Sequence, residues 1–192
     1  RILPKDATTN NEQNLNLRMF DTLIIYSSTD GHTERICRRI ISFINNEKKT
    51  KIISLKEATK INLSEFNEVI IGASIRYGKH SKELYKFIKL NKNILDQKET
   101  VFFSVNVVAR KLEKNSPDTN PYIKKFLKKS KWTPKKIGVF AGKVDYPNYK
   151  FFDKYIIKFI MFITGGPTDT SQSFEFTDWS KVDKFAKELI EN

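Results

Sequence analysis

Ser28, Thr29 and Thr33 gather round Gly31 in the stretch Tyr26–Thr33, which reads YSSTDGHT. Three hydroxyls and a glycine in one turn suit the binding of a phosphate. The stretch follows the apolar run TLIIY and ends at Thr33, where a helix-like pattern begins. A helix start offers unpaired N–H groups and a positive dipole end, which attract an anion. Gly31 lets the backbone come close to it, and His32 sits in the same turn. Asp30 is the anomaly, because a carboxylate repels a phosphate dianion. No lysine follows the glycine, so the loop is not of the triphosphate-binding kind, and the double glycine of a dinucleotide fingerprint is missing. The competing reading is an ordinary hydroxyl-rich helix cap.

The elements that must hold this loop alternate between two hydrophobic periods. Continuous β-rich runs occur at 22–26, 51–55, 68–73, 100–105 and 136–142, and uninterrupted runs fit strands covered on both faces of a parallel sheet. Between them lie helical patterns: Ile36, Cys37, Ile40, Ile41 and Ile44; Leu84, Phe87 and Ile88; Tyr122, Ile123, Phe126 and Leu127. A last one, after Asp178 as N-cap, runs through Val182, Phe185, Ala186, Leu189 and Ile190. The order predicts an α/β fold, a doubly wound five-stranded parallel sheet with helices on both faces. The link from the second run to the third is short for a full crossover helix. In such sheets ligands bind beyond the carboxyl ends of the strands, which singles out loops 27–33, 74–80, 104–120 and 142–149.

Composition narrows the classes. The 192 residues are 39% hydrophobic and carry a net charge of +13, so either an anionic partner or a lysine-rich compositional drift is at work. Cys37 is the sole cysteine, which excludes an internal disulfide, and it falls on an apolar helix face as a small buried residue. His32 and His80 have no companion at ligand spacing, so no metal site is expected. Residues 1–18 are polar and aperiodic, read as a disordered leader or tag remnant, with Met19 as a natural start and one domain over 19–192.

YSSTDGHTE resembles the phosphate loop of flavodoxins, although a threonine is usual where Asp30 stands. The stretches VIIGASIRYGKH (69–80), SVNVVARK (104–111), TPKKIGVFAGKVDYPNY (133–149), IIKFIMFITGGPTDT (156–170) and TDW (177–179) resemble quinone-dependent protoporphyrinogen IX dehydrogenases. That family carries a similar Asp-containing loop. The resemblance implies a flavodoxin-like fold and an FMN cofactor, with Ser28, Thr29, Asp30, Gly31, His32 and Thr33 at its phosphate. By the same resemblance Ser74, Ile75, Arg76, Tyr77 and Gly78 flank the flavin ring from one side, with Tyr77 stacking on it. Ser104, Val105 and Asn106 flank it from the other, with Gly142 and Tyr146 nearby. Asp30 is expected to turn away from the phosphate and accept backbone N–H groups within the turn. Asp30→Asn would then leave FMN affinity similar or better.

Two further segments bear on partners. Residues 107–121 form a long connection made basic by Arg110, Lys111 and Lys114. It reads either as a solvated charged loop or, given the two propionates of protoporphyrinogen IX, as a cationic lid over the substrate. Residues 149–163, YKFFDKYIIKFIMFI, place Lys150, Lys154 and Lys158 on one helical stripe among aromatic and aliphatic residues. The segment is too short and too charged to span a bilayer. It reads as a core helix or as one lying at an anionic membrane surface.

The leading expectation is FMN-dependent oxidation of protoporphyrinogen IX with menaquinone or ubiquinone as acceptor, by a cytoplasmic enzyme held at the inner face of the cell membrane. Alternatives are a flavodoxin-type electron carrier or an NAD(P)H:quinone reductase, for which no nicotinamide signal is found. A nucleic-acid module would rest on charge alone and is not expected. No residue declares itself a catalytic base.

Overall fold

Five parallel strands form the centre of the computed structural model, which describes residues 20–191; the leader expected over 1–18, and Met19, lie outside them. The strands are β1 (Thr22–Ser27), β2 (Thr50–Ser54), β3 (Glu68–Ser74), β4 (Glu99–Val105) and β5 (Lys136–Phe140), in the order β2-β1-β3-β4-β5. Ile25 pairs with Ile53 on one side and Ile71 on the other, and Ile71 continues to Phe102. Alternate side chains along these strands enter opposite cores. Leu23, Ile25, Ile71 and Phe102 pack on one face with residues of α3 (Lys82–Leu95) and α4 (Pro121–Ser130). Ile24, Ile70, Val101 and Phe103 pack on the other with α1 (His32–Ile44) and α6 (Trp179–Lys187). This two-sided burial is why the strand sequences are apolar without interruption.

The short link between β2 and β3 crosses β1 with a four-residue helix, α2 (Leu55–Ala58), and a 3-10 turn at Leu63–Glu65. A reciprocal capping box between Ser54 and Glu57 sets α2 directly on the end of β2, so the strand stops at Ser54 instead of continuing to residue 55. Asp178 caps α6 as expected, accepting from the Lys181 N–H. Cys37 is buried, and burial raises its thiol pKa far above the ordinary range.

β5 ends at Phe140, two residues earlier than its apolar run. Beyond it the chain builds a small annex. Strand β6 (Lys143–Asp145) pairs antiparallel with β7 (Ser173–Glu175), and between them in sequence lies helix α5 (Phe151–Ile163). Lys150 is the N-cap of α5, so the helix starts two residues later than the sequence pattern. Beyond its C-cap Thr164, Gly165 has a φ of +66°, which allows the Gly166 N–H to bond Met161 O at 2.7 Å. Val144, Tyr146 and Met161 form a third, separate core beneath α5.

α5 is not the core helix that one reading of its sequence suggested. Met161 is its one buried side chain, while Phe151, Phe152, Tyr155, Ile156, Phe159, Phe162 and Ile163 are exposed.

Candidate cofactor cleft

β1 has β2 on one flank and β3 on the other, so the strand order reverses at the carboxyl ends of β1 and β3. That is where a doubly wound sheet opens a crevice. Two adjoining shallow depressions lie there, of about 50 and 90 Å³.

The first is built on the hydroxyl-rich loop and is lined by Ser28, Thr29, Asp30, His32, Thr33, Ser74, Ile75, Arg76, Val105, Asn106 and Gly142. Gly31 adopts φ +77° as the N-cap of α1, a conformation that disfavours any side chain. No side chain caps this helix, and its first internal bond is from the Arg35 N–H to Gly31 O. The N–H groups of His32, Thr33 and Glu34 therefore precede the helical ladder, as an anion site requires. The Thr33 hydroxyl is buried and has no hydrogen-bond partner among the described residues. An orphaned buried hydroxyl is costly unless a ligand completes it. A phosphate at the end of α1 would supply the missing acceptor, so the residues fit a phosphate-bearing cofactor.

His32 is anchored to the annex. The Thr177 hydroxyl gives its only hydrogen to Ala141 O at 2.8 Å, so it accepts from His32 Nε2 at 2.6 Å. This fixes the Nε2–H tautomer. Burial, with Arg35 and Lys143 nearby, lowers the pKa of the imidazole, and the ring is neutral at pH 7.

Asp30 does not accept backbone N–H groups in its own turn, as the sequence suggested. Its Oδ2 accepts from Arg76 Nη1 at 2.7 Å, across a gap of 46 residues. Arg76 Nη2 also reaches Asp153 Oδ2 at 3.1 Å, on the first turn of α5, and the same carboxylate accepts from the Tyr77 hydroxyl. The guanidinium lies 4.8 Å from the Tyr149 ring centre. Tyr77 and Gly78 both have positive φ, 49° and 73°, between reciprocal backbone bonds of Arg76 and Lys79. This is a two-residue hairpin turn of the type that needs φ > 0 twice.

The second depression is largely apolar. Tyr77, Gly78, Val107, Val108, Tyr122, Tyr149 and the inner side of α5 (Ile157, Ile160, Met161) line it, with Arg76, Arg110 and Lys143 among them. Arg110 donates to Val107 O at 2.9 Å and Thr164 O at 2.7 Å, which ties the 107–110 turn to the C-terminal end of α5. Each of the two loops that wall the cleft thus sends one arginine to one end of α5. Lys111 and Lys114 are not among the lining residues; they follow on the next turns of the loop, half-exposed.

The connection 107–121 is ordered by 3-10 turns at Val107–Arg110 and Leu112–Lys114. Buried Asn106 and Asn120 close its two ends: Asn120 Nδ2 donates to Asn106 Oδ1 at 3.2 Å and to Lys114 O at 2.7 Å. Ser104 lies under the cleft floor, fully buried, with His80 Nε2 at 3.1 Å and Asn106 Nδ2 at 3.2 Å. Burial, and the charge of Lys125, push His80 down to about 3.

Tyr146, expected near the flavin ring, is not among the residues that line either depression. It is fully buried in the annex core and donates its hydroxyl to Pro167 O at 2.8 Å. Tyr149, three residues on, is the tyrosine that lines the cleft. Burial, with Asp30 and Asp145 nearby, pushes the Tyr149 phenol up to about 12, so it stays protonated. Lys143 and Asp145, 2.8 Å apart, also line the cleft and were not anticipated. Hydrogen bonds from Lys143, Ser173 and Asn148 hold Asp145 down at about 2. Their alternation in a three-residue strand was the signal available, and it is too short to be read alone.

Comparison with known proteins agrees with this geometry. A family profile described as a flavodoxin domain matches residues 23–171. The protein named protoporphyrinogen IX dehydrogenase [quinone] from Leishmania major is 42% identical over 169 residues, covering 87% of this chain and 73% of that protein. The one of the same name from Escherichia coli K12 is 40% identical over 173 residues, covering 88% and 93%. Among solved structures, oxidised flavodoxin 1 from Bacillus cereus superimposes with a TM-score of 0.51 at 15% identity, over 90% of this chain and 98% of that one. That likeness concerns the fold.

Proposed function

The chain belongs to the flavodoxin family, among the quinone-dependent protoporphyrinogen IX dehydrogenases, and on that premise we propose that it oxidises protoporphyrinogen IX with a bound FMN and delivers the electrons to a membrane quinone. FMN would supply the two-electron redox chemistry. The observation that carries the reading is the pairing of an orphaned Thr33 hydroxyl at the α1 N-terminus with an apolar chamber next to it.

In this reading the loop Ser28–Thr33 holds the phosphate with hydroxyls and helix N–H groups. The Tyr77–Gly78 turn and the Val107–Val108 turn flank the ring chamber. Inner residues of α5 exclude water from it, which strengthens the electrostatics within. Arg110, with Lys111 and Lys114 farther along the loop, gives the chamber's rim the positive charge that suits the two propionates. Conversion of the porphyrinogen to the porphyrin removes six electrons and six protons, so three quinones are reduced for each porphyrin made.

A quinone is dissolved in lipid, which gives the exposed face of α5 its purpose. Among the described residues no helix is long and apolar enough to cross a membrane. α5 instead exposes aromatic and aliphatic side chains beside Lys150, Lys154 and Lys158, on a chain of net charge +13. That composition fits a helix lying in an anionic bilayer surface. We place the enzyme there, peripherally bound to the inner face of the cell membrane. The test is an anaerobic assay with protoporphyrinogen IX, read by porphyrin fluorescence, with menaquinone, with ubiquinone and with no acceptor. Quinone-dependent porphyrin formation above an FMN-only blank is expected. A flavin-loaded protein that forms no porphyrin above the blank would overturn the reading.

A further inference from the structure

A phosphate loop with an aspartate in it needs a nearby cation, and the loop does not provide one: no lysine or arginine occurs from Ser28 to Glu34. The neighbouring cations are committed elsewhere. Arg35 pairs with Glu175 at 2.8 Å, Arg38 with Glu34 at 2.6 Å, and Lys143 with Asp145 at 2.8 Å. Arg76 alone among these charges reaches Asp30, and it does so from a different loop.

We propose that Arg76 is the positioning residue that makes the Asp30-containing loop competent for a phosphate dianion. It neutralises Asp30 and holds that carboxylate off the anion site. The inference rests on the FMN reading above. Arg76 is well placed for the role because it is not free to swing. Its second arm is held by Asp153, its guanidinium lies over the Tyr149 and Tyr77 rings, and its backbone is fixed by the bonds with Lys79. Its side chain is 20% exposed, so water screens the Asp30 pair only in part. A planar fork that bonds two carboxylates at once is a task for arginine and not for lysine.

The same arrangement makes the cofactor's phosphate, and not its ring, the group that feels Arg76 through Asp30. Riboflavin, which lacks the phosphate, is therefore the internal control. FMN and riboflavin are titrated into the full-length, cofactor-stripped protein by fluorescence quenching, for the native chain, Arg76→Gln, Asp30→Asn and the double variant. Arg76→Gln is expected to weaken FMN by about tenfold or more and riboflavin by a clearly smaller factor, which reports the part Arg76 plays as a lining residue of the second depression. Asp30→Asn binds FMN at least as tightly as the native chain. In the double variant, with the uncompensated carboxylate gone, FMN affinity returns to within about threefold of native. An unchanged FMN affinity in Arg76→Gln, equal losses for both flavins, or a double variant no better than Arg76→Gln would overturn the inference while leaving the FMN reading intact. A native chain that binds neither flavin would overturn both.

Discussion

Helices α1 and α5 are each thirteen residues long and do opposite things with their apolar side chains. In α1, Ile36, Cys37, Ile40 and Ile44 are fully buried against the sheet, and Glu34, Arg38 and Arg39 form its solvated ion-paired side. In α5, Phe152 and Phe162 are 78% and 72% exposed, and the helix is tied at its two ends by Arg76 and Arg110, with Met161 and Ile157 packed beneath it. In the proposed reading α1 serves its ligand through its end, with N–H groups and the Thr33 hydroxyl. In the same reading α5 offers its exposed side to a lipid surface. The sequences already differ: α1 carries one apolar face among charges, whereas α5 is apolar over most of its surface.

The sharpest way to break this contrast is to remove the outward face. Phe152→Ser with Phe162→Ser should reduce partition onto anionic vesicles on the order of a hundredfold, read by co-sedimentation. FMN affinity and melting temperature should stay near native. A parallel collapse in stability would mean that α5 is packed where the structure leaves it open.

On the α1 side, Thr33→Val should weaken FMN by about 1.5 kcal/mol or more, tenfold or greater in Kd. The cofactor-free protein should melt no earlier, because the hydroxyl removed had no partner. A loss of apo stability comparable to the loss of FMN affinity would show that the hydroxyl is structural.

The sheet side also carries buried titratable groups. His80 is held neutral, with its pKa down at about 3 in the folded state. The unfolded chain takes up that proton from about pH 6.5 downward, so stability is lost as pH falls from there towards 3. The slope is about 1.4 kcal/mol per pH unit while only the unfolded form is protonated. His32, also lowered, acts in the same direction. Denaturant titrations at pH 7 and pH 5 should show the loss, and His80→Gln should flatten it; an unchanged slope in the variant would assign the acid sensitivity elsewhere.

The smallest effect belongs to the charges on α5. Lys154→Gln should weaken vesicle binding severalfold, about 1 kcal/mol, with anionic lipid and not with zwitterionic lipid. Equal weakening on both would mean that the lysine acts through helix packing.

The sheet and α1 were legible in the sequence because their burial is periodic: runs such as TLIIY and EVIIGA, and the Ile36–Ile40–Ile44 steps, record which faces are covered. The hydroxyl-rich turn at the start of α1 was legible because its hydroxyls, its glycine and the helix start are neighbours in sequence. Asp30 was visible as an anomaly, but its partner was not, since Arg76 lies 46 residues away and only the fold brings them together. α5 reads FFDKYIIKFIMFI, apolar almost all round, so its sequence has no marked inward face. Tyr146 and Tyr149 are chemically identical neighbours, and only the annex core decides that the first is buried and the second faces the cleft.

The most direct test of the division between the two helices is quinone-dependent porphyrin formation by the native enzyme and by the Phe152→Ser, Phe162→Ser variant. It is measured once with menaquinone embedded in anionic vesicles and once with a short-chain, water-soluble quinone. The variant is expected to lose most of its rate with the vesicle-borne acceptor and to keep it with the soluble one. Equal rates for both proteins on vesicles, or equal losses with both acceptors, would contradict that division.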